Sequence, residues 1–145
     1  MNKIQDLEII KLKDKKDERG ILIPIEFRKL FNIDMKRSFL VFGKKNIIRG
    51  NHAHKDCNQF LCCIRGSCEV FCDDGNDTHK IKLSDPSKIL KIPNMIWSSQ
   101  RYISENTILL VLCDLEYSEK EYIREYKEFI NYRKNKNNLK RNSFF

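Results

Sequence analysis

The 145-residue sequence contains no apolar run near the roughly 20 residues that span a bilayer, so no membrane-crossing helix is expected. It also lacks an apolar segment at its start. Met1-Asn-Lys-Ile-Gln-Asp-Leu-Glu8 is polar and carries acids, unlike the apolar core of a secretory signal, and a cytoplasmic location is expected. No Cys-x-x-Cys pair occurs among the six cysteines, and the adjacent Cys62 and Cys63 would point to opposite faces of a strand, which argues against a zinc cluster. Cys57, Cys62, Cys63, Cys68, Cys72 and Cys113 fall mostly within apolar strands, so reduced core thiols are expected rather than a disulfide framework. The net charge of +8 is not accompanied by a basic stripe interleaved with aromatics. Arg133, Lys134, Lys136, Lys140 and Arg141 lie in a terminal run without acids, which reads as a solvated tail, and no nucleic-acid partner is expected. There is no internal repeat, and a chain of this length has room for one core.

Histidine is scarce as well: there are three, and two stand together in Arg49-Gly50-Asn51-His52-Ala53-His54. If this stretch is extended, positions i and i+2 share a face, placing both imidazoles about 7 Å apart on one side. Arg49 is out of step with them and reaches their face only if Gly50 marks a bulge. The following Gln59-Phe-Leu-Cys-Cys-Ile64, Arg65-Gly66-Ser67 and Ser67-Cys-Glu-Val-Phe-Cys72 read as strand, turn, strand. Lys36-Arg-Ser-Phe-Leu-Val-Phe42 is another strand, with Arg37, Phe39 and Val41 on one face. Asp73-Asp-Gly75-Asn76 signals a tight hairpin leading into His79-Lys-Ile-Lys-Leu83, where His79 alternates with charges and should face solvent. Lys88–Ile92, Ile96–Ser98 and Thr107–Leu112 bring the total to about nine or ten short strands, the pattern of an all-β sandwich or barrel.

At the beginning of the chain, Leu7–Lys13, a charged turn through Arg19-Gly20, and Ile21–Glu26 read as strand, turn, strand. Near its end, Ser118 and Glu121 match a capping box, and Tyr122, Ile123, Tyr126, Phe129 and Ile130 fall at helical spacing. One C-terminal helix with a packing stripe is therefore expected, followed by a disordered basic tail over residues 135–145.

Paired neutral imidazoles suit proton transfer, since histidine titrates near neutrality and can act as base and then acid. The spacing His-x-His, four residues, Gln59, six residues, Gly66 resembles the first cupin motif, with glutamine in place of its usual glutamate. The second such motif would fall at Lys91-Ile-Pro93-Asn-Met-Ile-Trp97-Ser98, where metal-binding cupins have a closing histidine and this chain has Ser98. Two histidines are a poor ligand set for zinc or iron, so a site without metal or cofactor is expected.

Arg49-Gly-Asn-His-Ala-His-Lys55, Gln59, Gly66-Ser67, Asp73-Asp-Gly75, Trp97, Leu110-Val-Leu112 and Tyr122-Ile-Arg-Glu-Tyr126 together resemble the dTDP-4-keto-6-deoxyglucose 3,4-ketoisomerases, the WxcM-like sugar-nucleotide cupins. That resemblance implies a cupin or jelly-roll domain over residues 1–134, a homodimer, and a dTDP-linked 4-keto-6-deoxy sugar whose carbonyl moves to C3 on the way to a 3-amino sugar of surface polysaccharide. It also implies His54 as carbon base with His52 as its partner, and Arg19, Arg37, Arg49, Gln59, Trp97 and Ser98 as substrate-binding residues. Arg19 resembles members that form the galacto product. Ser98 stands where the family has histidine or arginine, and Phe39-Leu40 where it has a tyrosine pair. A gluco-forming ketoisomerase, a 3,5-epimerase and a non-catalytic sugar-nucleotide-binding cupin are the alternatives.

Overall fold

The structure, a computed structural model, describes the backbone of residues 1–142 and side chains through Lys136. Twelve strands are present: β1 Glu8–Lys11, β2 Lys15–Asp17, β3 Gly20–Leu22, β4 Arg37–Gly43, β5 Ile48–His54, β6 Gln59–Arg65, β7 Cys68–Asp73, β8 Thr78–Leu83, β9 Lys88–Ile92, β10 Trp97–Tyr102, β11 Thr107–Cys113 and β12 Tyr122–Ile123. Two helices accompany them, α1 Phe27–Phe31 and α2 Tyr126–Asn142. The strands form two antiparallel five-stranded sheets, ordered β1-β9-β6-β11-β4 and β12-β5-β10-β7-β8, with β2 and β3 as a separate hairpin. The architecture is the expected all-β jelly-roll barrel with one long C-terminal helix.

Three apolar clusters explain why several strands do not alternate cleanly in the sequence. Leu61, Cys63, Val70, Leu109 and Val111 fill the space between the sheets. Phe60, Cys62, Ile89 and Leu112 point outward from the first sheet but are covered by Ile23, Ile25, Leu30 and Phe31. Ala53, Trp97 and Ile123 point outward from the second sheet and are covered by Phe129 of α2. β6 is thus apolar on both faces because both faces are buried, as in the interior strands of layered folds. Cys62 and Cys63 do face opposite ways, and all six cysteines are free and buried.

Two local expectations change. β1 does not form a hairpin with the next strand; it pairs with β9, and the charged turn closes the separate β2–β3 hairpin. Ser118 and Glu121 do not start the long helix. They frame a single 3-10 turn, Glu119–Glu121, in which Ser118 makes no side-chain cap, while the Glu121 carboxylate accepts the backbone N–H groups of Asp56 and Cys57 at 3.1 and 2.8 Å. Tyr122 and Ile123 then add to the edge of the second sheet opposite His54 and Ala53, and the helix begins only at Tyr126. α2 continues past Asn135, where the tail was expected to begin. The rest of that tail, from residue 143, lies outside the described residues, as do the side chains from residue 137. Among the described residues no helix is long and apolar enough to cross a membrane.

Candidate active site

A cavity of about 350 Å³ opens at one end of the barrel, with walls from both sheets. Its position follows from an irregularity in β5. Ser98 of β10 pairs with His52, but Ser99 pairs with Gly50 and Gln100 with Arg49, so Asn51 has no partner and forms a bulge. Gly50 and Asn51 take φ of 90° and 56°, the left-handed region that glycine and asparagine tolerate best. A Cβ at residue 50 would also stand 2.9 Å from Gln100 Oε1 and 3.0 Å from the Ser98 carbonyl. The extra residue turns Arg49 onto the same face as His52, and both line the cavity.

The imidazoles of His52 and His54 meet edge to face at 5.0 Å between ring centroids. Tyr122 packs against both, at 5.0 Å from His52 and 4.4 Å from His54. His52 and Tyr122 line the cavity wall, whereas His54 lies behind them, 5% exposed. All four ring nitrogens are buried, and none meets a hydrogen-bond partner of normal geometry among the described residues. Burial lowers the pKa of both rings: that of His52 falls below the ordinary value, and that of His54, with further repulsion from His52 and Arg37, falls to about 3. Both are therefore neutral, proton-accepting imidazoles at neutral pH.

The depressed His54 has a consequence for stability. Above pH 6.5 both folded and unfolded chains hold this ring neutral; below it the unfolded chain takes up a proton that the folded chain refuses, so stability falls with acidification. From a folded value of about 3, the loss at pH 5 is about 2 kcal/mol. The melting temperature should thus drop between pH 7 and pH 5, and His54→Asn should flatten that dependence. An unchanged slope in the variant would contradict the assignment.

Arg37, at the start of β4, directs Nη2 to Tyr122 Oη at 3.0 Å and to Cys113 Sγ at 3.5 Å. Gln59 lines the cavity beside Leu61 and Val111. Ser98 is buried and lies directly across from His52. Trp97, one residue earlier, projects through the other face, meeting Tyr126 edge to face at 5.3 Å and packing against a tilted Phe129 ring at 5.7 Å, away from the cavity. Arg19 sits on the exposed hairpin, bound to Asp17 at 2.6 Å, and does not reach the cavity of its own chain. The structure thus brings His52, His54, Arg37, Arg49, Gln59 and Ser98 together and leaves Trp97 and Arg19 apart.

Four polar residues of the cavity wall lie outside the sequence-predicted site: Gln100, Tyr102, Tyr122 and Arg124. Helical spacing assigns Tyr122 to a packing stripe, and no signal marks the other three; the guanidinium of Arg124 lies 4.5 Å from the Tyr122 ring and is anchored by Glu119 at 2.6 Å. The signal for Tyr122 was its place within the Tyr-Ile-Arg-Glu-Tyr run quoted for the family resemblance. Among the described residues no cluster of three His, Cys, Asp or Glu stands close enough to hold a metal ion.

A family model described as "FdtA: WxcM-like, C-terminal" matches residues 5–134. A relative from Aneurinibacillus thermoaerophilus named TDP-4-oxo-6-deoxy-alpha-D-glucose-3,4-oxoisomerase is 36% identical over 126 residues, covering 86% of this chain and 91% of its own. Among solved structures, QdtA, a sugar 3,4-ketoisomerase from Thermoanaerobacterium thermosaccharolyticum in complex with TDP, superposes with a TM-score of 0.88 at 34% identity, over 92% of this chain and 98% of that one. A 3,4-ketoisomerase from Helicobacter canadensis superposes with a TM-score of 0.85 at 37% identity, over 89% and 98%.

Proposed function

The chain belongs to the FdtA, WxcM-like family, and from that premise we propose that it is a sugar-nucleotide 3,4-ketoisomerase converting dTDP-4-keto-6-deoxy-D-glucose to dTDP-3-keto-6-deoxy-D-galactose. The observation that carries the chemistry is the pair of buried, neutral imidazoles beside one cavity. Removal of the C3 proton sends its electron pair into a C3=C4 double bond and the carbonyl pair onto O4. The O3 proton passes to the O4 side, and protonation of C4 leaves the carbonyl at C3. Atoms and electrons balance with proton transfers alone, so the reaction calls for no redox cofactor.

The resemblance implies His54 as the carbon base, whereas His52 is the imidazole on the cavity wall. We assign His52 to carbon and His54, against its back and against Tyr122, to the proton traffic between oxygens. Arg49 at the mouth suits the diphosphate, and Arg37 acts on the enediolate through Tyr122, because a guanidinium offers forked, permanently charged donors. Ser98 is too short to deliver a proton itself, so a water beside it is the expected carrier. The catalytic domain is taken as residues 1–134, and the 3-keto product is suited to conversion into a 3-amino sugar for surface polysaccharide.

A homodimer is proposed from exposed apolar side chains on the end strand β4, where Leu40 and Phe42 are 50% and 73% exposed, and on the hairpin, where Ile21 and Leu22 are 60% and 61% exposed. The galacto product is the reading tied to Arg19, and since this side chain lies outside its own cavity, it requires the hairpin to meet a cavity, in a dimer that of the second copy.

The test is incubation of the purified protein with dTDP-4-keto-6-deoxyglucose in deuterated buffer, with an enzyme-free control. An enzyme-dependent 3-keto product carrying deuterium at C4 is expected; the absence of both product and exchange would remove the isomerase reading, and deuterium at C5 would favour the epimerase. In the same spectra the C4 proton coupling reports product geometry. An equatorial C4 proton is expected, with its share or rate lowered in Arg19→Tyr, and an axial C4 proton as the main initial species would replace the galacto assignment with the gluco one.

A further inference from the structure

β11 ends on Cys113, which pairs with Arg37 of β4 on one side and Gln59 of β6 on the other, so three side chains stand in a row across the first sheet. The Cys113 sulfur is fully buried and receives Arg37 Nη2 at 3.5 Å and Gln59 Nε2 at 3.8 Å. The Cys57 thiol, from the loop after β5, stands near this sulfur and donates to the Asn58 carbonyl at 3.4 Å. Two donors thus converge on one atom. Arg37 is half-buried, and no carboxylate pairs with it among the described residues; its acceptors are this sulfur and the Tyr122 oxygen. A guanidinium taken from water without a counter-charge is costly, and the group able to supply one here is the thiol.

We infer that Cys113 works as a thiolate, the counter-ion that holds Arg37 against Tyr122, and is thereby a positioning residue for the imidazole pair. The reading rests on the ketoisomerase assignment for its kinetic consequences only. The surroundings favour the anion: the neighbouring Cys57 thiol, and then the contacts with Arg37 and Gln59, outweigh burial and pull the Cys113 thiol below its ordinary value, while Cys57, which keeps its proton, is pushed up. The charged and titratable groups that bear on this sulfur are Arg37 from β4, Cys57 from the loop, Tyr122 from β12 through Arg37, and the two imidazoles beyond it; Asp114, next in the chain, is tied to Asn58 at 2.8 and 2.6 Å. A negative sulfur offsets the field of Arg37 at His52 and His54, which lowers their basicity together with that of Arg124, while Glu119 acts the other way at His52.

Thiolates absorb near 240 nm where thiols and hydroxyls do not. The difference spectrum between wild type and Cys113→Ser should therefore titrate with a midpoint well below the ordinary thiol value of about 8.5. This measurement needs no substrate, so it stands whatever the reaction proves to be. In turnover of dTDP-4-keto-6-deoxyglucose, Cys113→Ser should lower kcat about tenfold with KM nearly unchanged and shift the acid limb of the pH profile to lower pH, through a less basic imidazole. Cys113→Asp, which restores the negative charge, should recover most of kcat. A purely structural cysteine predicts the reverse order, serine tolerated and aspartate harmful, and that order would overturn the inference. So would a difference spectrum that stays flat below pH 8, a result readable even if the aspartate variant does not fold.

Discussion

Replacing His52 by asparagine is expected to lower kcat by about 10²–10⁴ while leaving affinity for dTDP within a few fold. Asparagine fills similar space and keeps a hydrogen-bonding edge, but it cannot accept the C3 proton. The nucleotide should be held elsewhere, near Arg49 at the cavity mouth, and does not depend on this ring. Turnover by NMR and dTDP binding by calorimetry separate the two effects. His54→Asn, behind the wall, should cost less, and the double variant should lose far less than the product of the two single losses, because the rings act as one unit. If His52→Asn retained kcat within fivefold while His54→Asn abolished it, the roles would return to the order that the family resemblance implied.

The second large effect is structural. Gly43 closes β4, and a Cβ built there falls directly on the ring of Tyr102, with Cγ and Cδ1 nearest. Tyr102 is fully buried and belongs to the inter-sheet core, so its ring can yield only toward the cavity it lines, at the cost of its packing against neighbours. Gly43→Ala should destabilise the fold by about 3 kcal/mol, near the upper end of overpacking costs, and lower the melting temperature by about 10 °C for a domain of this size. Since Tyr102 also lines the cavity, activity measured well below the new melting point should fall too. A melting temperature within 2 °C of wild type would show that the ring moves freely.

What could be read from the sequence, and what could not, divides along the range of the interactions involved. The facing of His52 and His54 depends only on strand parity, which is a property of adjacent residues, and it holds. The bulge was legible as a condition, since Gly50-Asn51 offers two residues suited to left-handed backbone, and the register shift meets that condition. For Tyr122 the local signals agree on an element that does not form: Ser118 and Glu121 match a capping box, and Tyr122 to Ile130 match helical spacing. Glu121 instead spends its carboxylate on N–H groups 64 and 65 residues away, and backbone pairing with His54 and Ala53 takes Tyr122 into a strand. Such contacts are invisible to any short window. Trp97 and Ser98 illustrate a different limit. They are neighbours on β10 and must face opposite ways, so one had to leave the cavity side, and the apolar cover supplied by Phe129 of α2 decides that it is the tryptophan.

The unpaired Asn51 also resets the counting rule along its own strand. After it, even-numbered residues, His52 and His54, look toward the site; before it, the odd-numbered Arg49 does. A substitution scan that assumes one unbroken alternation from Ile48 to His54 would therefore label half the strand inside out. For a chain of this topology that lacks the Gly-Asn pair, the same geometry dictates where its mouth cation must be written: two residues before the first histidine rather than three.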